Sequence, residues 1–237
     1  MPAPHPLQKR FAELSTPLVA DACVRLGEPL RAAPAGVLPV IPGRRVAGPA
    51  LPVRHYGSVD VFLEAFTRSS APGAVLVIDN EGRTDEACIG DLAVLEAEAA
   101  GITGVVVWGL HRDTPDLVAI GLPVFSYGRH APGPVRVDPR DPEALRTARV
   151  GEHTVGAGDV VFADDDGVLF VAAERADAVL DTAETIFHTE RNQARRIREG
   201  ETLRRQTRFD EYLRERAQDP GYTFRRHLRR VGGAIEE

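Results

Sequence analysis

DLAVLEAEAAGITGVVVW, at residues 91–108, joins a helical pattern to a β-rich one. Asp91 to Ala100 predicts a helix, Gly101 follows as a turn, and Gly104 to Trp108 predicts a strand. A helix of about ten residues descends ~15 Å, and a strand of about five residues climbs back ~16 Å. Because these lengths match, the residues that flank the segment are expected to meet at the carboxyl edge of a sheet, where open α/β sheets bind their ligands.

The same alternation continues on both sides and predicts crossover units on a largely parallel sheet. The predicted strands are Ala50–Tyr56, Ala74–Asn80 and Pro123–Tyr127, and the predicted helices are Val59–Arg68 and Pro115–Ile120. Before them, Ser15-Thr16-Pro17, a helical apolar pattern and Gly27 predict a short helix, whereas residues 28–43 favour an ordered loop or arm. Residues 134–171 show short strands joined by turns, which indicates an antiparallel section.

Composition excludes several classes of function. The 237 residues include 29 basic and 35 acidic side chains, and Lys9 is the only lysine, so Schiff-base aldolase chemistry is excluded unless Lys9 carries it. No apolar run reaches the ~18–20 residues that span a bilayer, and we expect a cytoplasmic protein without membrane partners. Cys23 and Cys88 have no CxxC spacing and are expected to be small core residues rather than a disulfide or a zinc site.

The C-terminal section is helical and rich in arginine. Residues 188–237 contain 13 arginines and 9 acidic residues. Because the acids are interleaved with the arginines, a solvated helix or a subunit contact is favoured over a nucleic-acid site. We therefore divide the chain into an α/β core domain at residues 1–172 and a C-terminal helical arm at residues 173–237.

The residues expected to meet at the sheet edge could carry chemistry. Asp91 begins a helix whose Leu92 and Ala93 amides are unpaired by the helix, and Arg112-Asp113 follows a strand. Such amides and a guanidinium suit a carboxylate, and two carboxylates suit an oxygen-coordinated cation. The alternative is structural, with Asp91 as a cap and Arg112-Asp113 as a surface turn.

These residues resemble a family signature. Asp91, Arg112-Asp113 twenty residues later, and Asp116 look like the pattern of the class II 4-hydroxy-4-methyl-2-oxoglutarate aldolases, which share their fold with RraA-like proteins. The resemblance extends over residues 16–21, 72–77, 121–125 and 158–168, and covers roughly 12–200. It implies a layered α/β sandwich of the RraA-like, swivelling-domain type with a C-terminal helical arm, assembled as a homotrimer or homohexamer with its site between subunits.

The resemblance also implies roles for single residues. Asp113 would bind Mg²⁺ or Mn²⁺ directly, Asp91 would hold a metal-bound water, Arg112 would contact substrate oxygens, and the Leu92 and Ala93 amides would receive the substrate carboxylate. The implied activity is that of a metal-dependent carbon–carbon lyase. It would cleave a 4-hydroxy-2-oxo acid by a retro-aldol reaction, or decarboxylate oxaloacetate, and release pyruvate through a metal-stabilised enolate.

A glutamate on the C-terminal helix is a further candidate. An apolar stripe at helical spacing comprises Val179, Leu180, Ala183, Ile186, Phe187, Ala194 and Ile197. Glu190 falls on this stripe, where a carboxylate is costly unless it is paired or serves a site. The family has a comparable glutamate that reaches a neighbouring subunit's site. Glu184 is the competitor, and a position at the rim of a helix pair is the structural alternative.

Some residues depart from the family pattern. Trp108 and His111 flank the strand end where the family has smaller or different residues, so the shape of the pocket and the identity of the substrate are not fixed by the resemblance. His111 is expected to act sterically rather than as a base. Two roles are open for His55: it lines the site, or it is a structural histidine that is hydrogen-bonded or exposed. Asp164–Gly167 is expected to be a hairpin turn rather than a calcium loop. There are two alternatives to the pyruvate-releasing lyase. One is a non-catalytic RraA-like regulator that binds a ribonuclease or helicase, and the other is an enzyme of the same fold that acts on a different acid.

Overall fold

The computed structural model describes residues 5–68 and 73–232 and divides the chain into two compact units. The first unit comprises Met1–Pro17 and Leu30–Asp177, and the second comprises Leu18–Pro29 and Ala178–Glu237. Three parts of the predictions lie outside the described residues: Pro72 of the family-like segment 72–77, residues 1–4 of the predicted core domain, and residues 233–237 of the predicted arm. Among the described helices, none combines the length and the apolar character needed to cross a membrane.

The first unit contains all the strands that the structure describes. They are β1 Leu38–Pro39, β2 Val46–Arg54, β3 Val75–Asp79, β4 Ala87–Ile89, β5 Gly104–Trp108, β6 Leu110–His111, β7 Val124–Ser126, β8 Thr147–Val150, β9 His153–Gly156, β10 Asp159–Asp164 and β11 Gly167–Ala172. The α-helices among the described residues are α1 Pro6–Phe11, α2 Thr16–Leu26, α3 Asp60–Arg68, α4 Asp91–Ala99, α5 Thr114–Ile120, α6 Ala176–Arg198, α7 Leu203–Gln206, α8 Phe209–Gln218 and α9 Phe224–Val231.

A mixed seven-stranded sheet runs in the order β1-β7-β5-β3-β2-β10-β11. Its four central strands β7, β5, β3 and β2 are parallel, while β1, β10 and β11 pair antiparallel at the two sides. The α/β fold class is thereby confirmed, and so is the antiparallel character of the section after residue 134.

Two apolar layers cover the sheet. Helices α3 and α4 supply Phe62 and Val94 to one buried cluster, which also contains Ile78 of β3 and Val107 of β5. Because side chains alternate along a strand, the neighbouring residues face the other layer, where the β8–β9 hairpin covers Val77 and Val106. Both faces of β3 are therefore buried, which agrees with its apolar run Val75–Ile78.

The sequence pattern did not predict the three short strands β1, β4 and β6. Residues 28–43 were expected to form a loop or arm, but they include β1, which pairs with β7. The strands β4 and β6 form a separate two-stranded parallel sheet. Runs of two or three residues are too short for an alternation of side chains to be recognised, and their pairing depends on distant parts of the chain.

The second unit is helical, and its arginine-rich end is folded. Tyr212 of α8, His227 of α9 and Tyr222 of the segment between them form a buried aromatic cluster. The His227 Nε2 atom lies 2.8 Å from the carbonyl oxygen of Thr207. Arginines of this region lie over the tyrosines of this small core. The sequence pattern predicted helices here but not a core.

Candidate functional site

The two-stranded sheet brings two helix starts to the same edge. Strands β4 and β6 run parallel, with Ile89 opposite His111, and the Arg112 amide continues the ladder by donating to the Ile89 carbonyl oxygen at 3.0 Å. Helix α4 begins two residues after β4, at Asp91, and helix α5 begins at Thr114. Asp91 and Asp113 therefore follow the carboxyl ends of paired strands, which are β4 and β6 rather than strands of the large sheet.

A glycine allows the Asp113 carboxylate to lie against the start of α4. A Cβ atom added to Gly90 would be 2.2 Å from Asp113 Oδ2 and 3.2 Å from Arg112 Cγ, so a side chain at this position would have to displace the Asp113 carboxylate. Asp113 itself has φ 59° and ψ 39°. This left-handed backbone costs a non-glycine residue about 1–2 kcal/mol. The site thus combines a close approach and local strain, which often accompany functional residues.

Packing also positions the Arg112 guanidinium. Its Nε atom lies 3.4 Å from Asp113 Oδ2, and its Nη1 atom would lie 2.7 Å from a Cβ atom at Gly133. Both charged side chains remain partly exposed. Arg112 is therefore held beside Asp113 with part of its planar donor surface open to a ligand.

The amides at the start of α4 differ in availability. Gly90 is the N-cap and makes no side-chain cap bond, while the Leu92 amide donates to Asp91 Oδ1 at 2.8 Å. Within the described residues, the Ala93 amide has no protein acceptor. The Leu92 amide can receive a ligand only after the Asp91 side chain turns away, whereas the Ala93 amide needs no such change.

Asp91, Arg112 and the start of α4 line a cleft of about 900 Å³, whereas Asp113 is not among its described lining residues. The charged lining side chains are Asp91, Glu96 and Arg112, and His55 also lines the cleft. The remaining wall is largely apolar and comes from β4, α4, Leu63 of α3 and the segment before α3. The cleft therefore offers one fixed cation and two carboxylates beside an apolar surface.

The donor set suits a hard cation with few protein ligands. Among residues 5–68 and 73–232, no three His, Cys, Asp or Glu side chains converge on one point. Mg²⁺ is usually held by one or two carboxylates and completes its shell with water and substrate. Asp113, whose side chain makes no cap bond to α5, and Asp91 fit that requirement.

Glu190 lies on an exposed part of α6 in the second unit, whereas Asp91 and Asp113 belong to the first. The first half of the predicted stripe is buried, at Val179, Leu180, Ala183 and Ile186. Beyond it Ile197 is exposed. Desolvation, followed by the nearby Asp21 carboxylate, raises the pKa of Glu190. Its role at a neighbouring subunit's site stays a prediction, as does that of its competitor Glu184.

Trp108 and His111 have structural partners. Trp108 Nε1 donates to the Tyr127 hydroxyl at 3.2 Å, and the Arg149 guanidinium stacks 4.9 Å from the indole ring. The His111 ring lies between the Ser126 and Thr114 hydroxyls, at 2.7 and 3.1 Å. Neither Trp108 nor His111 is among the described residues that line the cleft.

A buried polar network behind the cleft was not anticipated. His55 Nδ1 lies 2.8 Å from Asn80 Oδ1, which also accepts from Arg136 Nη2 at 3.1 Å. Arg136 in turn donates to the buried Glu86 carboxylate. Because Asn80 Oδ1 can only accept, His55 carries its proton on Nδ1, and burial lowers its pKa. The sequence holds no local signal for this network, since even its directly hydrogen-bonded members Asn80 and Arg136 are 56 positions apart.

The comparisons with known proteins agree with this architecture. A family model described as RraA-like, Aldolase/RraA, matches residues 16–170. The chain belongs to the RraA-like family. This family includes both class II aldolases and non-catalytic RraA regulators, so membership by itself leaves the activity open.

Individual proteins that are similar to this chain cover most of it. Protein DlpA of Legionella pneumophila is 31% identical over 198 residues, which make up 81% of this chain but 31% of DlpA, so the chain spans about a third of that relative. An uncharacterized protein from Pseudomonas syringae has a crystal structure with a TM-score of 0.71 at 27% identity, over 86% of this chain and 97% of that one. Streptomyces coelicolor RraAS2, described as an unusual member of the RNase ES inhibitor RraA family, has a TM-score of 0.66 at 25% identity, over 83% of this chain and 100% of its own.

Proposed function

We propose that this RraA-like protein is a divalent-metal-dependent lyase that cleaves a 2-oxo acid and releases pyruvate. The observation that carries this proposal is the packing of the Asp113 carboxylate and the Arg112 side chain against Gly90, at the first turn of α4. A left-handed aspartate whose carboxylate packs against a glycine is the kind of local strain that often accompanies functional residues, and this supports the proposal.

The residues divide the work of binding. Asp113 would hold Mg²⁺ or Mn²⁺ directly, and Asp91 would hold its hydration shell through a water. When bound, the cation supplies Lewis acidity toward the 2-oxo group and the adjacent carboxylate. The Ala93 amide, and the Leu92 amide once Asp91 releases it, would orient that carboxylate at the helix N-terminus.

The chain's own residues also account for the bond cleavage. In the retro-aldol direction, the C4 hydroxyl loses its proton, the C3–C4 bond breaks, and its electron pair forms the pyruvate enolate, which is then protonated at C3. The Arg112 guanidinium would stabilise the developing negative charge. Asp91, together with Glu190 from a neighbouring copy in a trimer or hexamer, would hold the water that transfers the proton. Decarboxylation of oxaloacetate passes through the same enolate and can use the same residues.

The test is metal-dependent pyruvate release from oxaloacetate and from a panel of 4-hydroxy-2-oxo acids. We expect activity with Mg²⁺ or Mn²⁺, loss of activity with EDTA, and recovery when the metal is restored. Asp113→Ala should abolish turnover while leaving the unfolding midpoint within a few degrees of the parent. Turnover that survives both EDTA and Asp113→Ala would contradict the proposal.

A second candidate is favoured by the similarity to Streptomyces RraAS2, whose family is described as RNase ES inhibitors. In that case the protein would act by binding a ribonuclease or helicase through its surface. Absence of turnover with every 2-oxo acid, together with direct binding to a purified ribonuclease E-type enzyme, would establish this function instead.

A further inference from the structure

The cleft that contains Arg112 and Asp91 has a second, apolar part. Four of its lining side chains are large, hydrophobic and exposed: Val59 at 51%, Leu63 at 44%, Leu92 at 75% and Leu95 at 45%. Leu63 belongs to α3, Leu92 and Leu95 belong to α4, and Val59 directly precedes α3; all four line the same cleft. Scattered exposed leucines need no explanation, but a set that shares one cleft with a charged site indicates a binding surface.

The charges of the cleft restrict what this surface can bind. Arg112 is the only arginine or lysine among the described residues that line it, whereas Asp91 and Glu96 are acidic. Arg112 and the helix start can satisfy one carboxylate. A second carboxylate at the far end of a substrate would lie against the four apolar side chains and away from Arg112, so whatever hydration it loses there is not compensated by a cation.

From this distribution we infer that Val59, Leu63, Leu92 and Leu95 select 2-oxo acids whose distal end is uncharged and apolar. This inference rests on the proposed function for the reaction, and it adds the class of substrate. The preferred compounds are monocarboxylates with an alkyl or aryl group beyond the cleaved bond, and acids with a second, distal carboxylate are disfavoured. The four side chains are specificity determinants, because they contact the part of the substrate that does not react.

An isosteric pair of substrates tests the inference directly. In 4-hydroxy-2-oxoheptanoate the chain ends in a methyl group, and in 4-hydroxy-2-oxoheptanedioate a carboxylate replaces it. We expect kcat/KM for the first to exceed that for the second by at least about tenfold, which is within the range that a hydrophobic pocket can deliver. An equal or reversed preference would overturn the inference while leaving the lyase activity established.

Variants connect the preference to the wall. Leu63→Arg and Leu95→Arg each introduce a cation beside the distal end and should shift the ratio toward the dioate by about tenfold. Val118→Arg is the matched control, because Val118 is exposed to a similar degree on α5 but is not a lining residue of the cleft. A ratio that stays constant in both leucine variants, or a change of oligomeric state in light scattering without a change of ratio, would assign the wall to an interface and overturn the inference.

Binding without turnover separates this inference from the proposed reaction. 2-Oxoheptanoate and 2-oxoheptanedioate lack the C4 hydroxyl and cannot undergo retro-aldol cleavage. The monoacid should raise the melting temperature of the parent protein more than the diacid does, and Leu63→Arg should reduce this difference. If neither hydroxy acid is cleaved but the monoacid is still preferred, the lyase proposal fails and the inference about the wall stands.

Discussion

Gly90 shows how much of the site depends on a missing side chain. Gly90 is the N-cap of α4, a position where glycine is also preferred over alanine. A Cβ atom there would lie 2.2 Å from Asp113 Oδ2, so alanine would have to displace that carboxylate. The backbone at Gly90 has ordinary extended angles, so the requirement comes from the neighbouring carboxylate and not from the local conformation.

We expect Gly90→Ala to remove most of the lyase activity by displacing the Asp113 carboxylate. A shift of about 1 Å in a reacting group can cost about a hundredfold in rate, and we expect a loss of kcat/KM of at least that size, measured as pyruvate release. Gly158→Ala is the control, because no atom lies within 4 Å of a Cβ atom there and its φ is not positive. Full activity in Gly90→Ala would show that the contact does not position the site.

At the scale of elements, the start of α2 depends on a residue far away in the sequence. The Asp164 carboxylate accepts from the Thr16 amide at 2.8 Å and from the Thr16 hydroxyl at 2.6 Å, and it also accepts from the Asp166 amide. Asp164 is buried, so its charge is compensated by these donors. One carboxylate thus holds a helix start and the β10–β11 turn together.

Asp164→Ala should therefore lower the free energy of unfolding by about 2–3 kcal/mol, because two buried donors of Thr16 lose a charged acceptor. The neighbouring Asp165→Ala is the control. Asp165 accepts from the Gly43 amide at an exposed position, and its loss should cost less than about 1 kcal/mol. Urea denaturation of the three proteins measures the difference, and equal midpoints for the two variants would contradict this role of Asp164.

Elements with strong local signals were predictable from the sequence. Helix α2 begins at Thr16 and is followed by Gly27 with φ +70°, and the segment Asp164–Gly167 forms the expected hairpin. Strands β4 and β6 could not be predicted because they are too short to show a pattern. They determine where Asp91 and Asp113 lie, so the sequence suggested that these residues meet but not the sheet that joins them. The contacts with Gly90 and Gly133 arise from tertiary packing and leave no local signal.

For the whole molecule, two buried histidines predict a dependence of stability on pH. Desolvation lowers the pKa of both His55 and His111 below the ordinary value of 6.5. Below pH 6.5 the unfolded chain takes up protons at these positions before the folded chain does, so the free energy of unfolding should fall as the pH decreases. Denaturation at pH 7.5 and 5.5 measures this loss. The loss should be smaller in His111→Gln and unchanged in His188→Gln, which alters an exposed histidine on α6.

The proposed assembly leads to a prediction about sites that two copies of the chain build together. If Glu190 serves the site of a neighbouring copy, Asp113→Ala and Glu190→Gln each inactivate the homo-oligomer, but by damaging different copies. When the two inactive proteins are unfolded together and refolded as a random mixture, about one quarter of the sites in a cyclic oligomer combine an intact Asp113 with an intact Glu190. Pyruvate release should then recover to about that fraction of the parent rate. Refolding each variant alone is the control, and a mixture that stays inactive while it forms the parent oligomer would show that Glu190 does not serve the site of a neighbouring copy.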